Sequence, residues 1–149
     1  MNTMGQAART PIRSSFVLGS TSEIAKAICH ELARCGCRQF HLIARNQAGN
    51  EQLAEQLRNH YGAVVTQEQT DLLTDVALDG PGKPQVGNYD LYLITAGSLG
   101  DLELARNDAT EALRITAANY SGLLPWLTAI ATPERLSGPG RLWVFSSVA

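Results

Sequence analysis

The sequence predicts an α/β fold in which helices cover both faces of a parallel β-sheet. Five short apolar runs alternate with stretches of helical periodicity. Helical connections between apolar strands require parallel pairing with right-handed crossovers. A chain of 149 residues, 44% of them hydrophobic, is long and apolar enough for one domain with a buried core. The predicted strand order is 3-2-1-4-5.

The first half of the chain contains three predicted strands and two predicted helices. The strands are residues 15–19, 39–44 and 63–67, short apolar runs of the kind that a sheet buries on both faces. The helices lie at 22–36 and 50–62, and each ends at a glycine. Their apolar stripes consist of Ile24, Ile28 and Leu32 in the first helix and of Leu53, Leu57 and Tyr61 in the second.

The second half completes the alternation. Residues 71–78 can form a brief helix, and the glycines and prolines of 79–88 predict a loop. A fourth strand ends in a turn at 89–97, and "RLWVFSS" is the fifth. Between them a long helix begins near Asn107 or Asp108, and Pro125 should kink it, at a cost of about 3 kcal/mol if nothing compensates. Its stripe consists of Leu113, Ala117, Tyr120, Leu124, Leu127 and Ala131.

Composition excludes several classes of protein. The net charge of −2 argues against a nucleic-acid or anionic-membrane surface, and no apolar run approaches the roughly 18 residues of a membrane span. Residues 1–14 are polar and predict a disordered leader before a domain at 15–149. Cys29, Cys35 and Cys37 have no metal or redox spacing, which favours small apolar fillers in a reducing cytoplasm.

The turn "GSTSEIA", residues 19–25, lies where a dinucleotide-binding fold places its phosphate loop. Gly19 permits a tight turn, and the amino terminus of the next helix offers free N–H groups to a pyrophosphate. The alternative is a capping box between Ser20 and Glu23, which would close the helix without any ligand.

The end of the second strand indicates which dinucleotide would bind. An NAD site usually has an acid about 20 residues past the loop, whereas Ala44 and Arg45 stand here. Arginine can form charge-assisted hydrogen bonds with a 2′-phosphate, so NADP(H) is favoured over NAD(H), unless Arg45 is a solvated surface residue. Asp71 follows the third strand, where it can accept a hydrogen bond from an adenine amino group, cap the next helix, or do both.

Two later motifs complete the candidate site. The small residues Thr95–Gly97 end the fourth strand and let the chain pass beneath a cofactor ribose, although a simple turn would also use them. Asn119 lies in an otherwise apolar helical stretch, where a buried amide needs partners. Held at a kink, it would position a water or a lysine. The alternative is a satisfied core amide.

Between residues 15 and 149 five short motifs follow one another: Gly19, "TAG", "NYSG", "LLP" and "VFSSVA". With these motifs in this order, the chain resembles the short-chain dehydrogenase/reductase family. Glu23 and Ala25 replace the later glycines of the family's T-G-x-x-x-G-x-G loop. The resemblance implies a three-layer Rossmann-like domain and the catalytic residues Asn119 and Ser147, with Ser146 as second choice for the serine. The implied cofactor-binding residues are Gly19, Ser20, Thr21, Ser22, Glu23, Ile24, Arg45, Asp71, Leu72, Thr95, Ala96 and Gly97.

The resemblance implies hydride transfer between NADP(H) and a small carbonyl or alcohol substrate. The family's Y-x-x-x-K pair would follow the serine by about a dozen residues, so the sequence is expected to be the first half of such an enzyme, truncated before strand six and inactive alone. Strand five would then be an exposed edge of the sheet. The formation of a homo-oligomer is left as an open possibility. Two alternatives remain: a non-catalytic dinucleotide-binding or interaction module, and another doubly wound enzyme such as a methyltransferase.

Overall fold

The computed structural model describes residues 10–74, 83–136 and 140–145, and it contains a five-stranded parallel sheet in the order β3-β2-β1-β4-β5. The predicted α/β class and strand order are therefore confirmed. The strands are β1 (Ser14–Leu18), β2 (Gln39–Ala44), β3 (Val64–Gln69), β4 (Leu91–Ile94) and β5 (Arg141–Val144).

In the described residues, helices connect β1 to β2, β2 to β3 and β4 to β5, and two of them are short helices that sequence periodicity did not predict. Four residues each, as in α3 and α6, are too few to show a helical period. Residues 72–74 form a turn, and the rest of the brief helix predicted at 71–78 lies outside the described residues. The helices are α1 (Glu23–Arg34), α2 (Gln47–Tyr61), α3 (Leu102–Ala105), α4 (Ala109–Thr116), α5 (Leu124–Ile130) and α6 (Pro133–Leu136).

The sheet has a separate apolar core on each face. Val17 and Phe16 are adjacent in β1 and fully buried on opposite faces, because successive side chains of a strand alternate. The Val17 face packs against the buried sides of α1 and α2, including Cys29 and Leu57. The Phe16 face packs against Trp126 of α5. Both faces are covered, as the continuous apolar character of β1, β2 and β4 requires.

The long predicted helix is not continuous. Residues Ala117–Ser121 form a π-helical turn, and Gly122 N–H donates to the Ala117 carbonyl over 2.8 Å. The interruption predicted at Pro125 is present, because the helix stops at residues 122 and 123, directly before Pro125 in the first turn of α5. A proline there needs no N–H partner, so the expected cost does not arise.

The apolar stripe predicted for this helix was wrong. Leu113 is 68% exposed and Tyr120 is 64% exposed. Leu113 is exposed because α4 buries none of its residues, and the π-helical turn then interrupts the 3.6-residue period before Tyr120. The residues that are buried instead are Ala118, Leu123, Trp126 and Ile130.

The strand β5 lies at the edge of the sheet and pairs with β4 from Arg141 to Val144. Trp143, Val144 and Phe145 are exposed. The predicted edge position agrees with this arrangement, while self-association through the edge stays a prediction. Within the described ranges, no helix is long and apolar enough to cross a lipid bilayer.

Two fully buried serines should respond oppositely to the loss of their hydroxyls. Ser15 Oγ has no hydrogen-bond partner, whereas Ser20 Oγ donates to Asn50 Oδ1 over 2.6 Å. We expect Ser15→Ala to raise the free energy of unfolding by about 1 kcal/mol, since it removes an unsatisfied buried group. Ser20→Ala should lower it by about 1–3 kcal/mol, because it strands the Asn50 carbonyl. Urea unfolding measures both, and a destabilised Ser15→Ala would contradict this view of its hydroxyl.

Candidate functional site

A pocket of about 270 Å³ opens at the carboxyl edge of the sheet. Leu18, Ile43 and Ile94 are in register at this edge, so the turns after β1, β2 and β4 meet there. The turn after β3 adds the fourth wall. The lining residues are Leu18, Gly19, Thr21, Ser22, Ile43, Ala44, Arg45, Asn46, Thr70, Asp71, Leu72, Leu73, Thr95, Ala96, Gly97, Ser98 and Ala118.

The β1–α1 turn depends on the glycine at its start. Gly19 has a φ of +91°, and a Cβ there would lie 2.6 Å from Ala96 Cα and 2.8 Å from the Thr95 carbonyl carbon. The backbones that follow β1 and β4 therefore approach each other too closely for any side chain. Thr95 Oγ1–H donates to the Gly19 carbonyl over 2.9 Å, which ties the two turns together.

The residue that caps α1 is Ser22, not Ser20. Ser22 Oγ accepts a hydrogen bond from Ala25 N–H over 3.1 Å, so the predicted capping box was wrong. Glu23 instead pairs with Lys26 over 2.8 Å, and its side chain is 90% exposed. The carboxylate therefore projects outward, and the first N–H groups of α1 remain at the helix terminus facing the turn.

Three of the predicted cofactor-binding residues do not line the pocket. Ser20 is buried beneath the loop, and Glu23 and Ile24 are exposed on the outside of α1. Ile24 is thus also absent from the packed face of its helix, which consists of Ala25, Cys29, Leu32 and Ala33. The other predicted cofactor-binding residues all contribute to the lining.

The β2–α2 turn places a cation and a helix terminus at the pocket. Arg45 is exposed and directly follows β2. The Arg45 carbonyl accepts a hydrogen bond from Gln69 Nε2–H over 3.2 Å. Asn46 caps α2 by accepting from Gly49 N–H over 3.1 Å. The first turn of α2 has no acidic residue, so the partial positive charge of the helix terminus adds to that of Arg45.

The turn after β3 carries Asp71, whose Oδ1 accepts a hydrogen bond from Leu73 N–H over 3.0 Å. This hydrogen bond closes a local turn, while the helix that Asp71 was predicted to cap lies largely outside the described residues, so its capping role stays a prediction. Asp71 also lines the pocket. On the other side of this turn, a Cβ at Gly122 would lie 2.6 Å from the Leu72 carbonyl oxygen. The end of the π-helical turn thus packs directly against the Asp71 wall.

Asn119 lies in the π-helical turn and is exposed, so its predicted burial was wrong. Its amide is nevertheless well satisfied. Ser98 N–H donates to Asn119 Oδ1 over 2.9 Å, and Asn119 Nδ2–H donates to the Ser98 and Ile115 carbonyls over 2.6 and 2.9 Å. The Asn119 side chain therefore fixes the loop after β4. It does so from the π-helical turn, where the helix is interrupted.

Glu111 of α4 braces the same loop further along. Its Oε1 accepts from Asp101 N–H over 2.8 Å, and both carboxylate oxygens accept from the Arg114 guanidinium over 2.7 Å. The hydrogen bonds from Arg114, with that from Asp101 N–H, lower the pKa of Glu111 to about 2. The brace therefore stays ionised at neutral pH, and α4 and the π-helical turn together position the β4 wall of the pocket.

The remaining predicted residues have separate positions. Ser147 and its neighbour Ser146 lie outside the described residues, so their predicted role stays a prediction. Cys29 and Cys37 are buried, and burial raises their pKa values to about 12 and about 11, as for inert core thiols. Cys35 is exposed and is not a core filler. In the described part of the chain, no group of His, Cys, Asp or Glu side chains is arranged to hold a metal ion.

Several residues that line or support the pocket were not predicted from the sequence. Asn46 precedes a helix and is a good N-cap residue type, which is a local signal that was available. Thr70 and Ser98 each adjoin a predicted residue, so the turns were found but not their full extent. Asn50 had no signal, because its polar neighbours in "AGNEQ" give no hint that its side chain is buried.

The sequence is similar to those of several oxidoreductases. No family model matches the chain. An uncharacterized oxidoreductase of Streptomyces coelicolor is 32% identical over 148 residues, which are 98% of this chain and 59% of that protein. An uncharacterized oxidoreductase of Mycobacterium tuberculosis is 32% identical over 139 residues, 89% of this chain and 54% of that protein. The chain therefore spans a little over half the length of these relatives.

Solved structures show the same fold. A ketone-specific alcohol dehydrogenase from Comamonas testosteroni superposes with a TM-score of 0.71 at 18% identity, over 93% of this chain and 56% of that one. A protein described as a dehydrogenase from Burkholderia cenocepacia, with NADP bound, gives 0.66 at 20% identity, over 84% and 49%. A short-chain type dehydrogenase/reductase from Mycobacterium ulcerans gives 0.60 at 21% identity, over 78% and 44%. The chain thus has the fold of the short-chain dehydrogenase/reductase family, and its sequence relatives are oxidoreductases.

Proposed function

We propose that this chain is the NADP(H)-binding part of a short-chain dehydrogenase/reductase that transfers hydride between a carbonyl and an alcohol. One observation carries the proposal. The turns that follow β1 to β4 close around a single pocket at the carboxyl edge of the sheet, which is where doubly wound folds bind ligands. The NADP in the structurally similar Burkholderia protein supports the choice of ligand.

The residues of the pocket fit such a cofactor. Gly19 carries no side chain where the loop begins, and α1 begins at the pocket with Thr21 and Ser22 in its lining, so its amino terminus would meet a pyrophosphate. Arg45 and the terminus of α2 would hold the 2′-phosphate. Asp71 would meet the adenine, and Thr95–Gly97 would pass beneath a ribose. The bound nicotinamide would supply the hydride, while the protein supplies placement and electrostatics.

The catalytic roles are part of the same proposal. Asn119 holds the loop after β4 through Ser98, so its contribution to the site includes the shape of the wall beside Gly97. Ser147 would orient the substrate oxygen. General acid and base chemistry would come from a tyrosine and a lysine in a Y-x-x-x-K pair, which residues 1–149 do not contain. The substrate class is a small carbonyl compound or alcohol.

Replacement of Arg45 tests the proposed function. We expect Arg45→Ala to weaken NADPH binding by about 10- to 100-fold and to leave NADH binding within about twofold, because charge-assisted hydrogen bonds to the 2′-phosphate are worth roughly 1.5–3 kcal/mol. Isothermal titration calorimetry with both nucleotides measures this difference.

The matched control is Arg34→Ala, which removes an exposed arginine from the carboxyl end of α1, away from the pocket lining. It should leave both affinities unchanged. An equal loss of NADPH and NADH binding in Arg45→Ala would show that Arg45 does not recognise the 2′-phosphate. A wild-type chain that binds neither nucleotide would overturn the proposed function.

A further inference from the structure

The side chain of Asn50 joins two parts of the candidate site from below. Asn50 lies in the first turns of α2, yet it is only 2% exposed. Its Oδ1 accepts from Ser20 Oγ–H over 2.6 Å, and its Nδ2–H donates to the Leu42 carbonyl over 3.1 Å. A buried amide with these partners cannot move without leaving polar groups unsatisfied, so it fixes the β1–α1 loop to β2 and α2.

Other contacts bind the loop at the same place. The Ile43 carbonyl accepts from Gly19 N–H over 2.9 Å and from Ser20 N–H over 3.1 Å. A Cβ at Gly49 would lie 3.1 Å from Thr21 Cγ2, so the first turn of α2 lies close against the loop. All these contacts join the loop to the chain segment on either side of Arg45.

The Arg45 turn is held from the same residue. Asn50 N–H donates to the Asn46 carbonyl over 3.1 Å, and Asn46 is the cap that directly follows Arg45. The side chain of Asn50 is therefore hydrogen-bonded to the β1–α1 loop, and its backbone N–H is hydrogen-bonded to the Arg45 turn. Together with the hydrogen bonds to the Ile43 carbonyl, Asn50 therefore helps to set the position of the loop relative to the turn.

This separation matters for a ligand with two phosphates on one ribose. The 5′ and 2′ positions are covalently fixed, so the loop and Arg45 must keep a matching distance to bind both groups at once. A ligand with only a 5′-phosphate does not need that match. Small errors in placement are costly when two charged contacts must form together.

We propose that Asn50 is a positioning residue that sets the distance between the β1–α1 loop and Arg45, and thereby the preference for a 2′-phosphorylated nucleotide. The inference rests on the proposed function and goes beyond it, because Asn50 is not one of the residues that line the pocket. It acts through Ser20 on one side and through Asn46 on the other.

The experiment compares two small probes, adenosine 2′,5′-bisphosphate and adenosine 5′-monophosphate. Calorimetric titration of the wild-type chain gives the ratio of their affinities. We expect Asn50→Leu, which keeps the branched skeleton of four heavy atoms but removes both side-chain hydrogen bonds, to reduce this ratio by about tenfold, since residues coupled within one network commonly interact at this level. Ser20→Ala breaks the same bond from the other side and should reduce the ratio in the same direction.

The control is Leu57→Ala, which removes a fully buried side chain of α2 that contacts neither the loop nor the Arg45 turn. It should lower stability and leave the ratio unchanged. If wild type prefers the bisphosphate and both Asn50→Leu and Ser20→Ala keep that preference, the inference is overturned and the proposed function stands. If wild type binds neither probe, the proposed function itself fails. Should Asn50→Leu not fold, Ser20→Ala alone decides.

Discussion

The 149-residue chain should bind NADPH without reducing any aldehyde or ketone. The proposed chemistry needs a group that protonates the carbonyl oxygen as hydride arrives, and such general acid catalysis typically contributes about 10²- to 10⁴-fold. The chain has four tyrosines, and none is followed four residues later by a lysine. Of these, Tyr92 is engaged by the Tyr89 N–H and the Gly87 carbonyl, in the segment that precedes β4.

This expectation is measured by NADPH oxidation with a panel of small carbonyl compounds, under conditions in which titration shows the nucleotide to be bound. The expected rate equals that of a sample without protein. Turnover that survives both Asn119→Ala and Ser147→Ala would contradict the assignment of roles, because the reaction would then use groups that the proposal does not include. Turnover that both variants abolish would contradict only the need for the Y-x-x-x-K pair.

The Gly19→Ala variant should lose on the order of 3 kcal/mol of folding free energy and bind neither nucleotide. Two costs add at this position. The positive φ of +91° is unfavourable for any residue with a Cβ, and that Cβ would meet backbone atoms of Thr95 and Ala96. Backbone cannot rotate away as a side chain can. The loop after β1 would therefore have to leave the end of β4, which opens the pocket between its two closest walls.

Gly36→Ala separates these two costs. Gly36 has a similar φ of +105°, but a Cβ there would meet nothing within 4 Å. Its loss of stability should be about 1 kcal/mol, from backbone conformation alone, with nucleotide binding intact. Chemical denaturation and calorimetric titration of both variants provide the comparison. Equal losses in the two variants would mean that the close approach at Gly19 is relieved without cost.

The position of a residue relative to the strand ends explains why some residues of the site could be predicted and others could not. Gly19, Arg45 and Thr95 each follow a strand directly, and Asp71 follows β3 after one residue. Parallel strands bring their carboxyl ends to one edge. Position along the chain was therefore sufficient to find them. Asn50 lies within a helix, and only its contact with Ser20, 30 residues away, gives it a place in the site.

The sequence by itself determined the sheet, its order and the edge that carries the pocket, because apolar strands and helical crossovers leave few topologies open. Only the tertiary structure decided that Ser22, and not Ser20, caps α1. It also decided that the long helix breaks at the π-helical turn before Pro125. Both outcomes involve hydrogen bonds between residues that are distant in the chain. Ser20 Oγ–H donates to Asn50 Oδ1, and Asn119 Nδ2–H donates to the Ser98 carbonyl. Such contacts exist only once the sheet has brought its turns together, so no local pattern encodes them.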